Sequence, residues 1–582
     1  MSDYRNVYNE WLSSIKVSED DKAFLRSISD NEDELRRRFS SYMTFGTAGL
    51  RSTMGPGTAL MNVHTVAHTT QAIALLIIEE NGSDEGVAIA YDSRNNSELF
   101  ARTAASVLAA NGIKVYIFDS VRPTPELSFA LLHHKCIAGI NITASHNPKE
   151  YNGYKVYWRD GAQLPVNHAA TVTDKAASID IFNDVKLMDF DEAVKCGTVR
   201  IIGKETDEAY LAAVEAQLVN SSAVKNVADS FKVVYTPLHG AGHKLVPEIL
   251  TRIGLKNLYT VPEQMVLDGN FPTVSKPNPE YPETFAMAKH LAEINNCNLM
   301  IATDPDADRI AATVRKDDGE YVTFTGNQMG LLLLDYIITA YNESGTMPES
   351  PFAVKSLVSS GLADRICELN GVKMYNVLTG FKYIGEMIKL HDGKDGHYIF
   401  GFEESCGYLK GTYTRDKDAI VAAMLICEMA AHHYANGKTL YDALNDIYSK
   451  YGYSYERTEE LAMDGVDAMA DQKKLMTSLR ENKPYKFGCS RLYEMGDLLE
   501  RKFYRIKDKS LSPSPFPKAD VIIYKLENGD TVIVRPSGTE PKIKLYFLVT
   551  ADNFNTAVAN YAGYKVNIDT MIDRFMLYRH RY

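Results

Sequence analysis

Three aspartates stand at alternate positions in the stretch 303–309, TDPDADR: Asp304, Asp306 and Asp308. In extended or turning backbone, alternate side chains point the same way, so these carboxylates converge within a few ångströms. That close, they repel and raise one another's pKa unless a cation sits among them. Hard oxygen ligands favour Mg²⁺, which ordinarily also takes a phosphate oxygen. An EF-hand would need Gly at loop position 6 and Glu at position 12; counted from Asp304 the chain has Arg309 at the first and no Glu at the second. A solvated acidic turn is the remaining alternative, but it leaves an apolar strand ending in three charges unexplained.

Other loops carry complementary chemistry. Ser145 in TASHNPK (143–149) follows the apolar run IAGINI and reads as a nucleophile, a phosphate carrier or a turn residue. A hydrolase nucleophile would prefer a G-x-S-x-G elbow, which is absent there. His146 is poorly placed to take the Oγ proton, because neighbouring side chains in extended backbone diverge. A metal among carboxylates with no free base nearby points to Ser145 as a phosphoryl carrier, its phosphate completing the metal shell. In VRPSGTEPKIK (534–544), Arg535 offers a fork to phosphate oxygens. Ser537 and Thr539 donate hydroxyls there, Gly538 lets backbone N–H groups approach, and Lys542 and Lys544 add charge. A plain β-turn is the competing reading. In GFEESCGYLKGTYTRDKDA (401–419), Glu403 beside Ser405 suits two adjacent sugar hydroxyls, with Arg415, Lys417 and Asp418 following. His146 and His239 are open as general bases or as structural hydrogen-bonding histidines.

The elements that must carry these loops recur in one order. VAIAYDS, IKVYIFD and AGINITA read as strands separated by the helices SELFARTAASVLAANG and TPELSFALLHH. The pattern returns from 231 (FKVVYTP, KNLYTV, NLMIATD) and from 352 (FAVKSL, VKMYNVL, HYIFGFE). Alternating strands and helices imply right-handed βαβ units and mainly parallel sheets, with ligands off the carboxyl ends of strands. The polar loops SHNPKEYNG, PDADR and ESCGY each follow the third strand of a unit, one equivalent position in three units. A fourth strand, DTVIV, runs into RPSGTEPK, and 453–489 reads as a connecting segment. The helix KDAIVAAMLICEMAAHHYANG reads as core; its His432 and His433 lack the i, i+4 spacing of a metal pair.

The 582 residues exceed one core, and a net charge of −12 argues against broad nucleic-acid binding. Seven scattered cysteines, a polar N-terminus and apolar runs well short of about 20 residues predict a cytoplasmic protein without a signal peptide or membrane span.

Together these motifs resemble the α-D-phosphohexomutase superfamily. FGTAGLR (45–51), TASHNP (143–148), DPDADR (304–309), GFEES (401–405) and RPSGTEP (535–541) follow the family's order and spacing across nearly the whole chain. TPLHGAG, DGNFPTVSKPNPE and LTGFKYIG resemble the long phosphoglucomutase branch that also contains phosphopentomutases. The resemblance implies an α/β fold of four domains around a central cleft: three related α/β domains with mixed, largely parallel sheets, and a smaller C-terminal α+β domain. The expected spans are 1–205, 206–325, 326–455 and 456–582.

By motif match, Ser145 is the phosphoserine and, with Asp304, Asp306 and Asp308, a Mg²⁺ ligand. Arg51, Lys155, His146 and Arg309 fall near the reacting phosphate. Thr379, Gly380, Glu403, Ser405, Arg415 and Lys417 fall to the substrate, and Arg535, Ser537, Gly538 and Thr539 to its non-reacting phosphate. The implied reaction interconverts glucose 1-phosphate and glucose 6-phosphate through glucose 1,6-bisphosphate, with closure of the fourth domain excluding water. The Glu-Glu-Ser form resembles glucose-preferring members more than mannose-type Glu-Met-Ser-Gly members; a phosphopentomutase and a metal-dependent sugar phosphatase are the alternatives. Ala48 departs from the more usual Ser of GTSGLR. The expected partner is a small phosphosugar, with neither nucleic acid nor membrane, for a monomer or homodimer.

Overall fold

Val87–Tyr91 is five consecutive buried apolar residues, which leaves only a strand covered on both faces. It pairs in parallel with Ala138–Ile142 on one side and Val115–Phe118 on the other, and Val115–Phe118 pairs in parallel with Val199–Ile202. The crossovers are the helices Ser97–Ala110 and Thr124–His133. Tyr151–Trp158 and then Leu50–Thr53 extend the other edge antiparallel, completing a six-stranded sheet. Each fully buried Ile, Leu or Val in its core, such as Ile89, Ile140 and Leu108, contributes about 1.5–3 kcal/mol.

The computed structural model describes residues 4–46, 49–463, 467–538 and 541–578. Thr47, Ala48 and Thr539 therefore lie outside the described residues. The chain divides into two units, Met1–Phe324 with Gly385–Asp392 and Ser405–Thr439, and Thr325–Ile384 with Gly393–Glu404 and Leu440–Tyr582.

The first unit holds the six-stranded sheet and a five-stranded one. In the latter, Asn257–Thr260, Lys232–Thr236 and Leu299–Thr303 are parallel, whereas Ile310–Arg315 and Tyr321–Thr323 run antiparallel. The loops of Ser145 and of the three aspartates thus join antiparallel neighbours: 143–150 connects Ala138–Ile142 to Tyr151–Trp158, and 304–309 connects Leu299–Thr303 to Ile310–Arg315. Ala419–Ala435 is buried from Ala419 through Ala431 and N-capped by Asp418, as its apolar run predicts. Three N-terminal helices, Tyr4–Ser13, Glu19–Ser27 and Glu32–Phe39, gather a small core around Trp11, Leu25, Leu35 and Phe39.

In the second unit, Lys373–Val377, Pro351–Ser356 and His397–Glu403 pair in parallel, and an antiparallel sheet follows. Here the structure corrects one expectation. The segment 453–489 is no connector: Tyr453–Ala462 pairs along its whole length with Lys542–Ala551, and Ala468–Glu481 packs Leu475, Met476 and Leu479 into the C-terminal core. A boundary at 455/456 falls inside that strand. The charged and polar residues that suggested a linker belong to an edge strand, where Arg457, Thr458 and Glu460 are exposed and Glu459 pairs with Lys565 at 2.9 Å. The opposite sheet face is buried too: Ile533, Tyr546 and Leu548 pack with Leu357, Val358 and Leu378. Among the described residues, no helix is long and apolar enough to cross a membrane.

Candidate active site

Asp304, Asp306 and Asp308 are buried, and one carboxylate oxygen of each lies within 4.8 Å of the others. The alternation in TDPDADR does what its spacing predicts. Asp304 Oδ1 accepts the backbone N–H groups of Asp308 (3.2 Å) and Arg309 (3.1 Å), which closes the loop on itself. Its Oδ2 accepts the Ser145 hydroxyl at 2.8 Å. Asp306 Oδ2 accepts from Thr124 Oγ1 (2.7 Å) and Lys155 Nζ (2.8 Å). Lys417 Nζ sits 2.7 Å from Asp308 Oδ2 and Lys155 Nζ 3.4 Å from it.

Burial first, then repulsion from Asp306 and Asp308, raises the Asp304 carboxyl well above its usual range. Asp306 goes the other way: burial opposes its charge, but Lys155, Thr124 and Lys417 outweigh that and hold it well below the carboxylate range. Burial likewise opposes charge on Lys155, while Asp306 and Asp308 push its pKa up.

The residues present fit a divalent cation. Asp306 Oδ1 and Asp308 Oδ1 are buried with no hydrogen-bond partner, each costing about 1–3 kcal/mol if left so. An ion bound by these oxygens and Ser145 would satisfy both. Among the described residues this is the single cluster of metal-ligating side chains.

Ser145 adopts left-handed backbone, φ +52°, and its Oγ lies 3.2 Å from His146 Nδ1. The expectation that His146 diverges from Ser145 therefore fails, because it assumed extended backbone. Burial, then Arg309 and Arg51, push the His146 imidazole well below its ordinary value. Ala307 (φ +50°) and Cys406 (φ +60°) repeat this conformation in the two equivalent loops. The three loops thus share a non-glycine residue in left-handed backbone just past the end of their strands.

Of the other expected residues, Arg51 donates to Asn147 Oδ1 (3.0 Å), and Arg309 pairs with Glu280 (2.8 Å) beside Asp308. Arg415 donates to Thr412 O and Thr414 O of its own loop. Ser405 directly precedes Cys406, whose carbonyl accepts Ile310 N–H at 3.0 Å, next to the acidic loop. His239 has both ring nitrogens engaged, by Val266 O and Thr273 Oγ1 (2.8 Å each), so it braces the 266–273 loop instead of acting as a base.

In the second unit, Glu403 is buried at the end of its strand and its Oε1 accepts Gly380 N–H at 2.6 Å, which brings it to the Thr379–Gly380 turn. Arg535 lies in Thr531–Pro536, beside Tyr546, whose phenol burial pushes up to about 12. The following turn is closed by Ser537 N–H on Lys542 O (2.8 Å), with Gly538 exposed at its tip. Gln472 Nε2 donates to the same carbonyl at 2.7 Å.

Family models for phosphoglucomutase/phosphomannomutase alpha/beta/alpha domains I, II and III match residues 42–181, 208–319 and 325–451, and the model of the C-terminal domain matches 482–553. The chain belongs to the phosphoglucomutase/phosphomannomutase family. It is thereby an α-D-phosphohexomutase superfamily member and an isomerase. A phosphoglucomutase of Staphylococcus saprophyticus is 36% identical over 541 residues, covering 93% of this chain and 96% of that one. One from Staphylococcus epidermidis is 34% identical over 560 residues, covering 94% and 97%. The solved structure of pp63/parafusin, a phosphoglucomutase from Paramecium, shares the fold with a TM-score of 0.69 at 19% identity, over 92% of this chain and 96% of that one.

Several residues of this mutase's site escape motif reading. Thr124 opens the helix Thr124–His133 and binds Asp306 through both its side chain and its N–H (2.8 Å). Asp416 accepts Tyr157 OH at 2.6 Å and lies 3.3 Å from Lys417 Nζ, while Glu280 anchors Arg309. The available signal was position: Thr124 opens the helix that follows the carboxyl end of the parallel strand Val115–Phe118.

Proposed function

We propose that this phosphohexomutase is a phosphoglucomutase working through phospho-Ser145 and a bound glucose 1,6-bisphosphate. The observation that carries the reading is the 2.8 Å approach of Ser145 Oγ to Asp304, within a carboxylate triad that has buried oxygens to spare. The curated relatives named phosphoglucomutase support the glucose substrate.

The P–Oγ bond of phospho-Ser145 breaks as a P–O bond to the free sugar hydroxyl forms, and that hydroxyl's proton leaves to a base. When bound by Ser145, Asp304, Asp306 and Asp308, Mg²⁺ supplies positive charge to the transferring group. Lys155 and Lys417 bring two further cations to the triad, and Arg51 reaches the Ser145 loop through Asn147. Asp304 Oδ2 at 2.8 Å and His146 Nδ1 at 3.2 Å are the two groups beside Oγ that can take a proton. Glu403 offers a carboxylate to two sugar hydroxyls, with Ser405, Thr379 and Gly380 beside it in sequence or space. Arg535 with Ser537, Gly538 and Thr539 grips whichever phosphate is not reacting, so one clamp serves both orientations of the bisphosphate.

Steady-state assays with glucose 1-phosphate, ribose 1-phosphate and mannose 1-phosphate test this. Glucose 1-phosphate should give the highest kcat/KM, with Mg²⁺ required and glucose 1,6-bisphosphate reviving dephosphorylated protein. Higher kcat/KM on ribose 1-phosphate would make the protein a phosphopentomutase. Steady release of inorganic phosphate from glucose 1-phosphate would make it a phosphatase.

A further inference from the structure

Arg94 belongs to no motif read from the sequence, yet the Ser145 loop is built around it. It lies just beyond the strand Val87–Tyr91, its side chain fully buried with that of Asp92. Its Nη1 donates to Pro148 O (2.9 Å) and Tyr151 O (3.1 Å), and its Nη2 to the carbonyls of Ser145 and Asn147. Its Nε faces Asp92 Oδ2 at 3.3 Å. Asp92 Oδ2 also accepts Thr143 Oγ1 (2.6 Å), and Thr143 Oγ1 accepts Ser145 N–H (2.8 Å). One buried ion pair therefore ties down both the N–H and the C=O of Ser145, which explains how a serine is kept at φ +52°.

The exposed side of this arrangement is closed from another domain. The Phe271 ring covers the guanidinium, with its centroid 5.1 Å from Arg94 Cζ. Phe271 is itself held in left-handed backbone (φ +48°) by its loop. Asn270 accepts from Asn95 at 3.1 Å, and Thr273 binds His239 and Gln264. A cleft of about 380 Å³ opens between Pro148–Glu150 and Asn270–Ser275, and Phe271 is among the residues that line it.

We propose that Arg94 is a positioning residue for the phosphoryl carrier and that Phe271 strengthens its grip. Arg94 touches neither substrate nor reacting atoms; it acts through the Ser145 backbone, setting where Oγ stands relative to Asp304. The inference rests on the phosphoserine reading. A flat guanidinium satisfies four carbonyls at once, which a lysine ammonium cannot, whereas a lysine keeps the charge opposite Asp92. A misplacement near 1 Å costs on the order of 100-fold in rate. A cation–π contact of this kind strengthens the grip by a smaller factor.

The experiment measures kcat and KM on glucose 1-phosphate, with intact mass for phosphate on Ser145, in the unmodified protein, R94K, F271L and the double variant. R94K should keep its phosphate and its KM within about twofold while kcat falls about 30- to 100-fold. F271L should lower kcat about threefold alone and have no further effect in the R94K background. An R94K kcat within twofold of the unmodified protein overturns the proposal, as does an F271L effect of equal size in both backgrounds. F271L leaves every Arg94 hydrogen bond in place, so its wild-type kcat would overturn the Phe271 role even if R94K fails to fold. Absence of phosphate on Ser145 in the unmodified protein would overturn the phosphoserine reading itself, and that result is visible before any variant is compared.

Discussion

Ser145 Oγ and Asp304 Oδ2 are joined by a 2.8 Å hydrogen bond although 159 residues separate them in the chain. The contact links two domains at the carboxyl ends of their central strands and puts a hydroxyl against an acidic cluster.

Lys155 is, with Lys417, a buried counter-ion of the cluster and the one that contacts Asp306, its side chain 6% exposed and that of Asp306 0%. Removing one partner of such a pair leaves an uncompensated buried charge. K155M should therefore lose about 3 kcal/mol of stability in chelator, measured by urea unfolding. Mg²⁺ should restore much of it, since the cation replaces the lost ammonium. A variant as stable as the unmodified protein in chelator would show that Asp306 is not charged in the folded state.

Metal binding should be readable without turnover. Mg²⁺ at 100 times its Kd should raise the unfolding free energy by about 2.7 kcal/mol, seen as a rise in Tm. D308N should abolish most of that rise, because it removes one of the two unpartnered carboxylate oxygens or its charge. An undiminished shift would place the ion elsewhere.

Glu403 accepts Gly380 N–H and is the carboxylate proposed to read the sugar. E403Q keeps the shape but halves the acceptor strength of a charged hydrogen bond, worth about 1.5–3 kcal/mol. The expected loss in kcat/KM on glucose 1-phosphate is about 4- to 12-fold, with phosphate still present on Ser145. Equal losses on glucose, mannose and ribose phosphates would argue against a role in sugar choice.

Lys410 offers a pH test of the fold. Burial lowers its pKa to about 8, although Glu428 opposes the shift. The folded value lies below the unfolded one, so between pH 8 and about 10.4 the unfolded chain binds more protons. Stability from this group is present above the unfolded value and is lost as pH falls through the folded one. K410M should remove that dependence and be the more stable protein at pH 7, by up to about 3 kcal/mol. Parallel Tm-versus-pH curves for the two proteins would contradict this.

Much of the site was legible because it rests on local spacing. The alternation of Asp304, Asp306 and Asp308 fixes a common direction, and a buried strand such as Leu299–Thr303 has to deliver those carboxylates at its end. The conformation of Ser145 was not legible: nothing in TASHNPK announces a left-handed serine, because the forces holding it come from Asp92, Arg94 and Thr143. His146 was misjudged for the same reason. Tyr453–Ala462 was misread because an edge strand facing water carries charges that also mark a linker, and its partner, Lys542–Ala551, lies far along the chain. Gln472 was hidden by that error, although it braces the loop that follows Arg535.

The most direct test is intact-mass measurement of purified protein joined to an isomerisation assay. The unmodified protein should carry one phosphate, mapped by peptide fragmentation to Ser145, and S145A should carry none and lose mutase turnover while keeping its Tm. Full turnover by S145A, or a phosphate mapped to a different residue, would contradict the account.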